Sequence, residues 1–100
     1  MNYFITAISY LPHKKQTPSR CFGYFSSLER AQKAVKNNEN DLEECLYNYL
    51  IIEKIRSGLN PFTDGEKDEW WYKWDDSLNK WVWISEAPNF ASCICNWALG

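Results

Sequence analysis

Few residues in this chain could carry out catalysis, and they are scattered. The single histidine, His13, lies in a loop between Pro12 and Pro18, beside two lysines whose charge disfavours a protonated imidazole. The carboxylates between residues 64 and 76 are numerous enough for an acid/base pair, but clustering in and beside loops is more typical of a solvated surface. The sequence contains no phosphate-binding loop, dinucleotide fingerprint, nucleophile elbow or zincin motif. We therefore expect a protein that is not an enzyme.

The four cysteines raise the questions of metal binding and disulfides. Cys93 and Cys95 are separated by one residue, whereas structural zinc sites usually place at least two between paired cysteines and need two further ligands. Cys21, Cys45 and His13 would have to converge on that pair. Four cysteines in 100 residues are also too dilute for a disulfide-rich secreted scaffold. We expect reduced cysteines that pack mainly as small buried groups, with no metal and no cofactor.

Aromatic residues provide the strongest indication of binding. The chain has six Trp, six Tyr and five Phe, and five of the tryptophans fall between residues 70 and 83. An exposed indole can stack on a base or sugar, with Lys73 or Arg20 holding phosphate. The same ring can anchor a protein interface, where Trp, Tyr and Arg dominate. A structural explanation competes with both, because large rings let a short chain build a stable core.

Charge is distributed unevenly along the chain. Residues 1–36 carry six Lys/Arg and one acid, whereas residues 37–76 carry four Lys/Arg and eleven acids. The overall charge of −2 argues against a generic nucleic-acid-binding protein. The basic and acidic parts either neutralise each other within the fold or present two unlike faces to partners.

The apolar pattern predicts one α+β domain over residues 1–100. A capping box at Ser26 and Glu29 begins one main helix. Its buried face comprises Leu28, Ala31, Ala34 and Val35. Five strands are predicted, over residues 3–10, 20–25, 47–55, 69–75 and 80–84. The order strand-strand-helix-strand-strand-strand predicts an antiparallel sheet of about five strands with the helix on one face. Gly23 suggests a bulge or a close backbone approach.

Two segments and the location of the protein are less constrained by the pattern. Residues 41–46 fit either a second short helix or a continuation of the first, and residues 90–99 fit a last strand or a short helix.

No apolar run approaches 18 residues, and the N-terminus does not resemble a signal peptide. We therefore expect a cytoplasmic protein.

Strand alternation divides the tryptophan-rich hairpin into two faces. Trp70, Tyr72 and Trp74 share one face and Trp71 and Lys73 share the other. We expect the first set in the core. The predicted binding residues are Trp71 and Lys73 with Trp81 or Trp83, joined by Arg20, Lys14 and Lys15 for contacts to phosphate. Because one helix covers only one face, the tryptophans of the other face must be exposed or covered by the C-terminal tail.

Most of the chain is similar to a group of phage proteins. The matching segments are residues 3–7, 20–25, 28–31, 41–44, 49–55, 71–75 and 96–100. These segments, which include the block Trp71-Tyr72-Lys73-Trp74-Asp75, resemble small uncharacterised proteins encoded by phages and prophages of Firmicutes. The chain departs from that group in the basic loop 11–19 and in Trp70. The resemblance implies an origin in a mobile element and no particular activity.

These features lead to one main functional hypothesis and one alternative. The first is a non-enzymatic viral binding protein that inhibits host defence, of the anti-CRISPR kind, by docking on a defence protein or by sequestering a nucleotide signal. The alternative is a nucleic-acid-associated accessory factor that uses the basic loop 11–20. Self-association is also open, and a membrane partner is not expected.

Overall fold

Alternating apolar residues in five segments produce one antiparallel sheet. The computed structural model describes residues 2–10, 19–38, 47–55, 68–88 and 97. The strands and the helix are β1 (Asn2–Ile8), β2 (Ser19–Phe25), α1 (Leu28–Lys36), β3 (Tyr49–Ile55), β4 (Glu69–Asp75) and β5 (Lys80–Ile84). The strand order in space is β2-β1-β3-β4-β5, and each neighbouring pair is antiparallel. The predicted α+β class and the predicted order of elements are confirmed.

The glycine in β2 marks an irregularity in the pairing of β1 and β2. The register shifts between Ile5 and Thr6, so that Ile5 faces Gly23 and Thr6 faces Cys21. Gly23 has φ of 137°, a value that side chains rarely allow. A Cβ added there would meet no atom within 4 Å, so the glycine is required by the backbone angle rather than by crowding. The predicted bulge is confirmed.

The helix begins one residue later than the capping box predicts. Ser27, not Ser26, is the N-cap: its backbone is extended, and its Oγ accepts a hydrogen bond from the Arg30 amide at 3.1 Å. Either serine satisfies the chemical requirement of a cap. The third helical residue after Ser27 is Arg30, so Glu29 lies in the first turn without closing a capping box. Starting at Leu28 directs Ala31, Ala34 and Val35 toward the sheet, where all three are buried.

The helix covers one face of the sheet and forms the helix-side core with it. Ala31, Ala34 and Val35 pack there with residues from β1, β3, β4 and β5. The buried sheet residues are Ile5, Leu50, Ile52, Tyr72 and Trp81. Trp70 and Trp74 pack against this cluster and are partly buried. The prediction that Trp70, Tyr72 and Trp74 belong to the core is confirmed for Tyr72, whereas Trp70 and Trp74 lie at the margin of the core on the predicted face.

A second, smaller cluster covers the opposite face, which we call the outer cluster. It consists of Ile8, Ile51, Trp71 and Trp97, with Tyr49 and Ile84 packed against it. Trp97 comes from the C-terminal region, 26 residues after Trp71, and both are buried. The sheet is therefore covered on both faces, by the helix on one side and by a residue of the tail on the other.

A buried carboxylate fixes Trp97 to the outer face. Glu53 of β3 is fully buried, and its two carboxylate oxygens accept hydrogen bonds from the Trp97 amide at 2.9 and 3.1 Å. Charge-assisted bonds of this kind are among the stronger ones in proteins. Thr6 of β1 is also fully buried, and within the described part of the chain its Oγ1 has no hydrogen-bond partner.

Several sequence predictions fall on segments that the structure does not describe. These are the possible second helix at 41–46, the last strand or helix around residues 90–99 except for Trp97, and loop 11–18. Among the described residues, no helix has the length and apolar character needed to cross a membrane.

Candidate docking surfaces

Trp71, the first of the predicted binding residues, is not accessible. It lies on the face opposite the helix, as the alternation predicts, but only 3% of it is exposed. The Trp97 ring stands perpendicular to it with centroids 6.2 Å apart, and the Trp71 indole N–H donates to Glu69 Oε1 at 3.2 Å. The prediction of an exposed Trp71 is therefore wrong, because Trp97 covers it.

Trp81 is also enclosed, on the helix side of the sheet. It pairs with Trp74 across β4 and β5, so both rings lie on the same face and meet edge to face at 5.3 Å. Its indole N–H donates to Asn38 Oδ1 at the C-terminal end of the helix, at 3.2 Å. Trp81 belongs to the helix-side core, and the prediction that it could lie on an accessible face is wrong.

Lys73 and Trp83 are exposed, but the structure does not bring them together. Trp83 pairs with Tyr72 and therefore projects on the helix side, where 58% of it is exposed. Lys73 pairs with Val82 and projects on the opposite face, with its Nζ 5.8 Å from the centre of the Tyr49 ring. A single small ligand on one face of the sheet cannot contact both.

Arg20, the one predicted basic residue that the structure describes, lies far from the tryptophan-rich hairpin. Arg20 is in β2, at one edge of the sheet, while β5 forms the other edge with three strands between them. Neighbouring strands lie about 4.8 Å apart, which places these edges roughly 19 Å from each other. Lys14 and Lys15 lie outside the described residues. The predicted pairing of Arg20 with the hairpin tryptophans at one site is therefore wrong.

The first exposed aromatic surface is the β2 edge. Tyr24 is 59% exposed and lies beside Phe4, with ring centroids 5.1 Å apart. On the helix side of the same edge, two arginines lie over phenylalanine rings, Arg20 over Phe22 at 4.9 Å and Arg30 over Phe25 at 5.1 Å. We define the β2-edge surface as Arg20, Phe22, Tyr24 and Phe25 with Phe4 and Arg30.

Sequence reasoning missed most of the β2-edge surface. The sequence pattern indicates Arg20 but not Tyr24 or Arg30, because the local patterns of these two residues are those of an ordinary strand and an ordinary amphipathic helix. The missing information was the strand order. Only when β3 pairs with the free side of β1 does β2 become an edge. The hairpin of β1 and β2 alone cannot indicate this.

The second exposed surface is the β5 edge, defined as residues 80–86. One hydrogen bond shows which backbone groups of β5 point away from the sheet. The Trp74 amide donates to the Asn48 carbonyl at 3.0 Å, so the amide and carbonyl of Trp74 point toward β3. Residues of a strand alternate in the side to which their amide and carbonyl point. Trp81 and Trp83, which face Trp74 and Tyr72, therefore direct these groups outward, away from β4. Edge groups of this kind are available to another strand.

Two concavities in the described part of the chain have acidic linings. One, of about 470 Å³, lies at the hairpin end and is lined by Asp75 and Asp76 with Lys73 as its one cationic side chain. The other, of about 200 Å³, lies beside Trp83 and is lined by Glu69 without a cationic group. Carboxylates repel phosphate, so neither concavity favours a nucleotide.

The fold separates basic and acidic elements. β2 carries Arg20 and no acidic residue, whereas residues 68–88 carry five carboxylates and two lysines. Because β1 and β3 lie between them, these charges do not neutralise each other through contact. Among the described residues, the structure thus favours the interpretation of two unlike surfaces.

The titratable groups with shifted pKa values have structural causes. Burial in the core raises the pKa of the Tyr72 phenol, while its hydrogen bond with Gln32 acts in the opposite direction. The pKa of Asp75 is lowered, first by the Ser77 hydroxyl, which donates at 2.6 Å, and then by the Leu78 and Ser77 amides of the hairpin turn.

In the described ranges, no three His, Cys, Asp or Glu side chains come together as metal ligands, and Cys21 is a free exposed thiol.

No family model, curated protein or solved structure matches this chain. The resemblance to phage and prophage proteins therefore stays a prediction.

Proposed function

We propose that this protein is a non-enzymatic binding module from a phage or another mobile element, and that it inhibits a host defence protein by docking on it in the host cytoplasm. The observation that supports docking is the β2-edge surface. It combines an exposed tyrosine with two arginines already positioned over aromatic rings. Tyr and Arg are enriched among the residues that dominate binding energy at protein interfaces.

The side chains of the β2 edge favour an acidic segment of the partner. Because Gly23 introduces a bulge that disfavours main-chain pairing, we expect side chains to provide most of the contact. Stacking on Phe22 and Phe25 restricts Arg20 and Arg30 before a partner arrives, which reduces the entropy lost on binding. The Arg20 guanidinium can donate two parallel hydrogen bonds to a carboxylate. The proposed epitope is therefore a strand or loop rich in Asp and Glu.

The acidic concavities support docking on a protein over sequestration of a nucleotide signal. A nucleotide site needs cationic or amide donors arranged around phosphate, together with an aromatic surface for the base. The concavity beside Trp83 offers rings but presents Glu69 where phosphate would need a donor. Repulsion between carboxylate and phosphate opposes binding at that position.

A nucleic-acid-associated role is the second candidate, and it depends on the basic segment. Arg20 is exposed near the start of β2, a few residues after Lys14 and Lys15 in the sequence. If these three residues contact phosphates, their joint replacement by Gln should weaken binding to double-stranded DNA and reduce its salt dependence, since each lost phosphate contact removes counterion release. Unchanged DNA binding by the triple variant would eliminate this candidate.

The test of the docking proposal compares two doubly substituted proteins in the same capture experiment. Arg20→Glu with Tyr24→Ala alters the β2-edge surface, and Lys33→Glu with Leu78→Ala makes equivalent changes elsewhere. Lys33 and Leu78 are both exposed, the first on the helix and the second in the hairpin turn. Circular dichroism and thermal melting must first show that both variants fold. Captured proteins from a nuclease-treated host lysate are then identified and bound again in purified form.

The expected result is a defence protein that binds the wild type and the control variant but binds the Arg20→Glu/Tyr24→Ala variant at least tenfold more weakly. The reversal of one charge and the loss of an aromatic anchor together justify this magnitude. Equal binding of all three proteins would contradict a role for the β2 edge. Retention of a small nucleotide in place of a protein would instead support sequestration.

A further inference from the structure

The β5 edge has a self-complementary sequence. With Trp83 as the centre of residues 80–86, Val82 corresponds to Ile84, both apolar, and Lys80 corresponds to Glu86, which has the opposite charge. Trp81 and Ser85 are the remaining pair of positions that are symmetric about Trp83. A segment with this symmetry can pair with an identical segment running in the opposite direction, which is what a twofold axis requires.

The backbone of β5 is compatible with that pairing. Trp81 and Trp83 direct their amides and carbonyls outward, as the hydrogen bond from Trp74 to Asn48 requires. Residues with outward groups must face each other as hydrogen-bonded pairs in a new antiparallel ladder. Placing Trp83 opposite Trp83 of a second copy meets this condition, and it places Trp81 opposite Ser85, the first residue after β5.

We propose that two copies of this chain pair their β5 strands antiparallel about a twofold axis at Trp83. The two five-stranded sheets then form one continuous ten-stranded sheet. The axis covers the indole of Trp83, which is 58% exposed in a single chain. Lys80 of each copy then lies beside Glu86 in the bend that follows β5 of the other copy, so opposite charges meet at two equivalent positions.

The β2 edge is a poorer candidate for the same type of contact. Gly23 introduces a bulge there, and bulges disrupt a ladder and twist an edge away from pairing. The pairing of β4 with β5 contains no register shift over its five residue pairs. The two edges therefore differ in regularity as well as in charge. Self-association at β5 leaves the β2-edge surface accessible for the function proposed above.

The size of the contact predicts a reversible dimer. Stable protein interfaces usually bury at least about 1,200 Å² in total. One pair of short strands with a single exposed Trp on each side covers less than this, so we expect dissociation constants in the range of roughly 10–500 μM. The dimer should form on concentration and separate on dilution.

Sedimentation velocity across a protein concentration series, from about 5 μM to 1 mM, tests the proposal. The wild type should shift from monomer to dimer, and Trp83→Ala should weaken the association at least tenfold. Glu86→Lys places two lysines opposite each other at both symmetric positions and should weaken it by a similar factor. The double variant Lys80→Glu/Glu86→Lys should recover most of the wild-type association, because both ion pairs are then reversed.

Controls separate loss of the dimer from loss of the fold. Glu86 lies beyond the end of β5 and Lys33→Glu reverses a charge on the helix, so both single variants should remain folded. Lys33→Glu should dimerise like the wild type. A protein that stays monomeric over the whole range would overturn the proposal. So would a dimer that is unaffected by Glu86→Lys, or one that the double variant fails to restore. Binding through the β2 edge is measured separately, so either proposal can fail alone.

Discussion

The contrast between Trp71 and Trp83 gives the sharpest test of how the sheet is covered. Both are tryptophans in the same hairpin, and the sequence grouped both with the accessible binding face. In the structure Trp71 is 3% exposed beneath Trp97, while Trp83 is 58% exposed at the edge. Replacement of each by Ala should therefore have very different effects on the free energy of unfolding.

The expected magnitudes follow from the area that each ring buries. A tryptophan of about 250 Å² that is almost fully buried corresponds to about 6 kcal/mol at about 25 cal/mol per Å². This is an upper bound, and measured Trp→Ala costs in cores are about 3–5 kcal/mol. Trp83 buries only about two fifths of its surface, so Trp83→Ala should cost about 1–2 kcal/mol. Trp71→Ala should cost about 3–5 kcal/mol.

Urea denaturation followed by far-ultraviolet circular dichroism measures both costs without using the fluorescence of the replaced residue. With a slope of about 1.5 kcal/mol per M, the midpoint should fall by about 2–3 M for Trp71→Ala and by about 1 M for Trp83→Ala. Trp71→Phe provides an intermediate variant if Trp71→Ala does not fold. Equal costs for Trp71→Ala and Trp83→Ala would refute the conclusion that Trp97 covers the outer face.

Four further predictions concern buried groups, pH and metal. Glu53→Gln should lower the free energy of unfolding by about 1–3 kcal/mol and speed hydrogen exchange at the Trp97 amide, because a charged acceptor is lost. Thr6→Val should raise that free energy by about 1 kcal/mol in urea denaturation, because a buried hydroxyl without a partner is replaced by a methyl group. The raised pKa of Tyr72 means that the folded state retains a proton that the unfolded state releases, so the free energy of unfolding should fall as pH rises above about 10. In denaturation measured from pH 9 to 11, Tyr72→Phe should remove this part of the alkaline loss. Metal analysis should find no zinc, whereas one zinc per chain that disappears in Cys93→Ser would contradict the expectation of reduced, metal-free cysteines.

Local patterns predicted the elements well because each depends on neighbouring residues. Strands β4 and β5 and their four-residue turn have the predicted bounds, and the alternation of faces in β4 is as expected. The turn also determines that Asp75 faces Lys80, which makes Trp74 and Trp81 share a face. The burial of Trp81 was therefore predictable from the sequence.

The burial of Trp71 and the position of β2 could not be obtained in that way. Trp71 is covered by a residue 26 positions later, which is held by a carboxylate on a third strand. β2 becomes an edge only because β3 returns to the other side of β1. Both facts depend on contacts between distant segments, and periodicity within one segment contains no information about them.

The direction of the helix has a consequence for how the molecule approaches a partner. α1 begins directly after β2 and ends beside β5, where Asn38 accepts the Trp81 indole N–H. Its positive end thus lies near Arg30, and its negative end lies toward the strands that carry most of the described carboxylates. Glu29 in its first turn and Lys33 and Lys36 in its last turn oppose this polarity, so the dipole moment along the width of the sheet comes from the helix backbone and from the charges of the strands. A charged partner exerts a torque on such a dipole before contact, so the association rate depends on salt even where the final affinity does not.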